Sequence, residues 1–221
     1  MGTKSQKRTQ SPSTASAILV VMYIAAFVAA FNENIINVAL HDIMAAFSVS
    51  ATTAQWLVSG YMIVTSIFTA IMAFLSGRFS TRKLLFFACG CMVAGEVLCL
   101  IAPSFSVLLP SRILQAAGSG ILFPLMMNVV LSCAPREKLG TYMGIMGAMT
   151  TLGPSSSVIL AGLILAVADW HMLLWVFAAL SALCFLTGAI ILRDIAKLSH
   201  PRLDALSVAL IGIALIGILY S

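Results

Sequence analysis

The sequence predicts an all-α membrane protein, a bundle of six membrane-spanning helices followed by a partial seventh. Three observations predict it. The apolar runs are about 19 to 28 residues long, and a helix rising about 1.5 Å per residue needs roughly 20 to cross the hydrocarbon core. The composition is 61% hydrophobic and only 9% charged, with a mean hydropathy of +1.09, which leaves no material for an aqueous domain. Finally, of the 12 Lys and Arg residues, all except Arg112 lie in the N-terminal segment or at alternate junctions between apolar runs.

Residues 1–16, basic through Lys4, Lys7 and Arg8 and rich in Ser and Thr, have the composition of a short disordered cytoplasmic tail. The run that follows is too long for the apolar core of a signal peptide and carries Asn and Glu in its second half, so it is expected to remain as the first helix. Hydropathy places the spans near 17–40, 52–76, 84–102, 105–132, 140–167, 172–192 and 203–221. The expected organisation is therefore a tail at 1–16, a six-helix bundle at 17–192, a cytoplasmic loop at 193–202 and a truncated seventh segment at 203–221. The last run ends without a polar flank, which leads us to expect the N-terminal half of a longer protein. Because the loops are short, successive helices are expected to be antiparallel neighbours.

Arg78, Arg82 and Lys83 follow the second run, Arg136 and Lys138 the fourth, and Arg193, Lys197 and Arg202 the sixth. The other junctions carry His41 and Asp42, then Ala102-Pro103-Ser104, then Asp169 and His171. The positive-inside rule makes the first set cytoplasmic, so the expected location is a multi-pass cell-membrane protein with a cytoplasmic N-terminus. The net charge of +5 is the excess of those loop cations and implies no nucleic-acid partner. Cys89, Cys91, Cys99, Cys133 and Cys184 have no metal-ligand spacing and no long outer loop to hold a disulfide framework. No metal and no cofactor is expected, and no catalytic constellation of paired Asp, metal-binding His or Ser/His is present.

Function is to be sought among polar residues inside the spans, where each must avoid lipid. Glu33 lies about 10 Å below the outer end of the first run, flanked by Asn34 and Asn37 on a shared flank that faces the bundle interior or a watery cavity. Arg112 lies about 10 Å below the outer end of the fourth run. Its guanidinium keeps its charge, so it requires a carboxylate, carbonyls or water, and Gln115 one turn on supplies a further contact. Glu96 sits mid-span, where protonation would remove most of the cost of burial. In the fifth run, small residues at 140, 144 and 148, and at 147, 151 and 155, form ridges for close helix packing. Pro154 beside Gly153 removes a backbone donor and favours a hinge. Trp56, Tyr61 and Met62 are expected to be ordinary packing residues.

These stretches together resemble the major facilitator superfamily, in particular the drug:proton antiporters of the EmrB/QacA type. Asn37-Val38-Ala39-Leu40 resembles the end of the first-helix motif, with Asn32 standing where an Asp is common and Glu33 beside it. Arg112 with Gln115 and Gly118 resembles the fourth-helix motif, although Ala116 replaces a glycine. Gly144 followed by Gly153-Pro154 resembles the fifth-helix antiporter motif, although Ser157 and Val158 replace a glycine pair. In the loop after the second run the basic residues Arg78, Arg82 and Lys83 match the family pattern while its Asp is absent.

The resemblance implies twelve or fourteen helices in two pseudo-symmetric halves, of which this chain is the N-terminal one, with a substrate site between them. It implies proton-coupled export of small amphipathic compounds with no bound cofactor and a part for Arg112 in proton coupling. The polar residues themselves make Glu33 the leading proton-carrying acid with Arg112 its electrostatic partner, and Glu96 either a relay member or a silent neutral acid. The alternative is a non-transporting fragment, a structural or regulatory half-bundle. The orientation has a direct check. In a cysteine-free background, a cysteine at position 42 should be labelled by an impermeant reagent from outside and one at position 138 should not.

Overall fold

In the computed structural model, residues 12–191 are described, and all six helices of the bundle are present. They are α1 (Pro12–Phe47), α2 (Ala51–Arg78), α3 (Thr81–Leu100), α4 (Phe105–Cys133), α5 (Leu139–Leu165) and α6 (Trp170–Ile191), with a single 3-10 turn at Arg136–Lys138 before α5. Each is long and apolar enough to span a membrane. The expected loop at 193–202, its cations Arg193, Lys197 and Arg202, and the seventh segment at 203–221 lie outside the described residues, as do residues 1–11 of the expected tail.

The first helix differs from its sequence expectation at both ends. It begins at Pro12, inside the segment expected to be a tail, and continues through His41 and Asp42 to Phe47. Thirty-six residues of α-helix make a rod of about 54 Å, longer than the membrane core requires. Polar residues at the water interface do not stop a helix unless a cap or breaker follows, and here the stop is Ser48, whose φ of 52° turns the chain. Ser50 then caps α2, its Oγ accepting from the Thr53 N–H at 3.2 Å. Ser80 caps α3 in the same way from Lys83. Each cap satisfies an N–H that the first helical turn leaves without a partner.

Short loops do alternate the helix directions, but they do not choose the packing partners. α2 scarcely touches α3 and packs on α4, while α5 packs mainly on α1. The remaining principal contacts join α3 to α4 and α6, and α1 to α4 and α6. Exchanging α1, α2 and α3 for α4, α5 and α6 maps this pattern onto itself, the relation expected of an inverted three-plus-three repeat.

Small residues decide these contacts. A Cβ on Gly120 would fall 2.5 Å from the Thr65 carbonyl oxygen of α2, and one on Gly118 would strike the Ala88 carbonyl oxygen of α3. On α5 a Cβ on Gly153 would lie 2.7 Å from the Ala30 side chain of α1. Backbones that approach this closely leave no room for a larger residue, and the gain is van der Waals contact, since lipid is as apolar as the core. Thr69 reinforces the α2–α4 seam by donating to the Gly120 carbonyl at 3.1 Å.

The Gly144 ridge lies elsewhere. A Cβ at Gly140, Gly144 or Gly147 meets nothing within 4 Å, so the ridge that the sequence offers for packing is open among the described residues, and Gly153 makes the close approach instead. α1 and α4 occupy the interior, whereas the outward faces of α5 and α6 carry Ile159, Leu163 and Ile190, side chains suited to lipid. Gly118→Leu and Gly120→Leu are expected to destabilise this chain by about 1–3 kcal/mol or more through overpacking, while Gly144→Leu leaves its stability unchanged. Thermal unfolding in detergent reads the difference.

Candidate functional site

A polar cluster lies at the centre of the bundle, built from α1, α3 and α4. Asn32, Glu96, Arg112 and Gln115 are each at most 1% exposed. Asn32 points inward because it continues the buried series Ala25, Ala29, Ile36, Ala39 and Ile43, which recurs every three or four residues along one helical face. Arg112 and Gln115 are three apart on α4 and so share a face. Gly95 lets that face close on α3, since a Cβ there would sit 2.5 Å from the Gln115 side chain.

The geometry is a hydrogen-bonded bridge. Arg112 Nη1 donates to Asn32 Oδ1 at 2.5 Å and to Gln115 Oε1 at 2.6 Å, and Nη2 donates to the Asn32 carbonyl at 3.4 Å. Asn32 Nδ2 in turn donates to Gln115 Oε1 at 3.1 Å and to Glu96 Oε1 at 3.4 Å. The guanidinium also lies over the Tyr61 ring, 4.4 Å from its centroid, in cation–π contact. Tyr61 is fixed by its hydroxyl, which donates to Ser119 Oγ at 2.6 Å. Glu96 Oε2, Arg112 Nε and Gln115 Nε2 are buried without hydrogen-bond partners.

Arg112 makes no ion pair among the described residues; the ion pair found there joins His171 to Asp169 at the surface. The Asn32 amide stands between the cation and Glu96. Glu33, next to Asn32, is half-buried and within electrostatic reach of Arg112, but its side chain starts about 100° around the helix. Glu33 therefore lies near Arg112, but because α1 runs beyond Leu40 to Phe47, Glu33 is about 21 Å from the end of its helix rather than the roughly 10 Å expected. Asn34 and Asn37 bond to each other, Asn37 Nδ2 to Asn34 Oδ1 at 3.1 Å. They contribute to the open polar flank of α1 and bridge to no other helix.

Arg112, Glu96 and Gln115 are candidates from sequence, whereas Asn32 stands there as one of three amides in the first span and as a departure from a motif, with no partner assigned, and Tyr61 as packing. The inward series on α1 is a sequence signal that could have placed Asn32. No periodicity could have placed Tyr61 under a cation carried by another helix. At the α2–α3 turn, Arg78 and Arg82 lie over Phe74 and Phe86 at 5.3 and 5.5 Å, so these cations pack on rings as well as marking a face. Lys83 donates its backbone N–H to the Ser80 cap. Gly153 is buried against α1 and Pro154 lies inside α5 without interrupting it. Among the described residues no group of three or more metal-ligating side chains converges.

Two six-helix halves enclosing a central site are the plan of many secondary transporters, and a fixed charge buried in such a bundle suits one half of that plan. The family model for the Major Facilitator Superfamily matches residues 22–219, and the chain belongs to that superfamily. The chain is 36% identical to the uncharacterized MFS-type transporter YcnB of Bacillus subtilis, over 96% of its own length and 45% of the relative's. It is 33% identical to the lincomycin resistance protein LmrB of the same organism, over 92% of its length and 42% of the relative's. With the multidrug resistance protein B homolog of Mycobacterium tuberculosis the identity is 27% over 71% of the chain. The chain thus spans about half the length of the curated relatives it matches. A crystal structure of the peptide transporter POT in complex with sulfate superposes with a TM-score of 0.74 over 91% of the chain and 45% of that structure, at 16% identity, which shows the shared fold.

The network makes a stability prediction. Gln115→Leu leaves Arg112 and Asn32 short of an acceptor and is expected to cost about 1–3 kcal/mol, whereas Asn37→Leu, on the open flank, should stay within about 0.5 kcal/mol. Unfolding midpoints of the two variants in the same detergent provide the comparison.

Proposed function

We propose that the chain is the N-terminal half of a proton-coupled exporter of small, amphipathic, drug-like compounds, an antiporter of the EmrB/QacA type in the cell membrane with its N-terminus cytoplasmic. The observation that carries this reading is the fully buried Arg112, held by amides and with two acids within electrostatic reach. A permanent charge inside a membrane bundle is costly, and it is tolerated where it binds ions or substrate or biases the protonation of a neighbour. The resistance proteins among the relatives support an exported drug-like substrate.

In this scheme Glu33 is the leading proton carrier because, unlike Glu96, it reaches the open flank of α1. Proton occupancy of a carboxylate depends on its distance from a fixed cation. A conformational change that moves α1 against α4 therefore links proton binding to access. Asn34, Asn37 and Gln115 supply cavity polarity, and Gly153 with Pro154 supplies a tight contact about which α5 can bend. A C-terminal half, packed over α2, α5 and the open Gly144 ridge, completes the substrate site. Arg78, Arg82 and Lys83 hold the cytoplasmic turn.

In the complete transporter, reconstituted in liposomes with an imposed pH gradient, Glu33→Gln should abolish proton-driven export while substrate binding remains measurable. Arg112→Lys keeps the charge but loses the planar fork, so it should retain part of the export rate. Normal proton-driven export by Glu33→Gln would overturn the assignment of the carrier, and absence of any export by the wild type would overturn the function.

A further inference from the structure

We propose that Glu96 is a second, interior proton-binding site, joined to Arg112 by the side chain of Asn32, and that it exchanges its proton only when α1 shifts against α3 and α4. Its part in transport rests on the exporter reading; its protonation does not.

The Asn32 amide is oriented by its partners. Asn32 receives the Arg112 N–H on Oδ1 and offers Nδ2 to Glu96 Oε1 and Gln115 Oε1. A donor on one side and acceptors on the other leave the amide a single orientation, with its dipole aligned between cation and acid. The polarised amide strengthens both bonds, as hydrogen bonds in series do in a low-dielectric interior. Arg112 is thereby coupled to Glu96 although the two form no ion pair.

The two carboxyl oxygens differ. Oε1 accepts from Asn32, whereas Oε2 is buried without a hydrogen-bond partner. An ionised carboxylate would leave a charged oxygen uncompensated, a large cost in an apolar bundle. Protonation at Oε2 replaces that uncompensated charge with one unpaired O–H, a smaller cost, and Oε1 serves as the acceptor in either state. Release transfers that proton from Oε2 to water and leaves the carboxylate with Arg112 as its countercharge.

The surroundings are defined on every packed element. Arg112 faces Glu96 from α4. Tyr61 of α2 lies within electrostatic reach of both, and Glu33 of α1 lies within reach of Arg112 and Tyr61. Cys99 is on α3 itself, within reach of Glu96. On α6, the free thiol of Cys184 faces that of Cys89, two helical turns nearer the end of α3 that starts at Thr81. All four members of the cluster are buried, and in this scheme opening of the Asn32 bridge admits water to Glu96. Opening requires movement of α1, the helix that also carries Glu33, so the two acids report on the same displacement.

The chain has three glutamates, Glu33, Glu96 and Glu137, which permits a direct test. The full chain carrying Glu33→Gln and Glu137→Gln, labelled with 13C-glutamate and placed in lipid nanodiscs, has Glu96 as its sole labelled acid. Infrared difference spectra should show a labelled carboxylic C=O band that disappears at high pH within the range where the chain stays folded. Adding Glu96→Gln should remove the band, and Asn32→Leu should move it to the frequency of an acid with one hydrogen bond fewer. A carboxylate signal at every pH, or a carboxylic band that never titrates, would overturn the proposal. The measurement needs neither substrate nor export, so a failed transport assay leaves this result standing, and a failed titration leaves the transport reading open.

Discussion

A guanidinium that keeps its charge in the middle of an apolar bundle sets the terms for the helices around it. Arg112 must be supplied with acceptors, and the chain supplies them from α1 and from α4 itself while laying an aromatic face from α2 beneath it. These groups can reach the cation only if the helix axes are close. That requirement falls on glycine: Gly95 brings α3 against Gln115, and Gly120 brings α2 against α4. The polar network and the small-residue seams are thus two parts of one constraint, since a larger residue at a seam would separate donors from acceptors.

Amides rather than carboxylates form the inner contacts of Arg112. A direct ion pair would tie the charge to one partner, and breaking it inside the bundle would expose two uncompensated charges. An amide bridge instead lets the positive field reach Glu33 and Glu96 while leaving each acid free of a direct pair. Such an arrangement lends itself to rearrangement, because moving one helix alters several weak bonds in place of one strong one.

The two surfaces of the bundle also differ in kind. The outward faces of α5 and α6 present large aliphatic side chains, including Ile159 and Ile190, as a lipid-facing helix does. Elsewhere on α5 the glycines at 140, 144 and 147 form a face where an added Cβ meets nothing within 4 Å among the described residues, and the open flank of α1 carries Asn34 and Asn37. Polar and small residues of this sort are poor contacts for lipid and good ones for another helix or for water. Together with relatives about twice as long, these faces suit a bundle that works against a second one.

The sequence by itself located the six described spans, because backbone groups in lipid must be satisfied internally, apolar runs of this length do so as helices, and the interruptions are chemically distinct. It also singled out Arg112, Glu96 and Gln115, since a charge or amide within an apolar run is visible without knowing the fold. The boundaries of α1 were not legible: His41 and Asp42 interrupt hydropathy but do not break a helix, and the turn came only at Ser48. Tertiary structure alone decided that α2 packs on α4 rather than α3, that Gly153 and not Gly144 makes the close contact within this bundle, and that Asn32 rather than Glu33 meets the guanidinium. Periodicity assigns a residue to a face of its own helix, but which neighbour meets that face depends on contacts among residues far apart in the chain. The 80-residue separation of Asn32 and Arg112 is closed by helix packing, and no local pattern encodes the result.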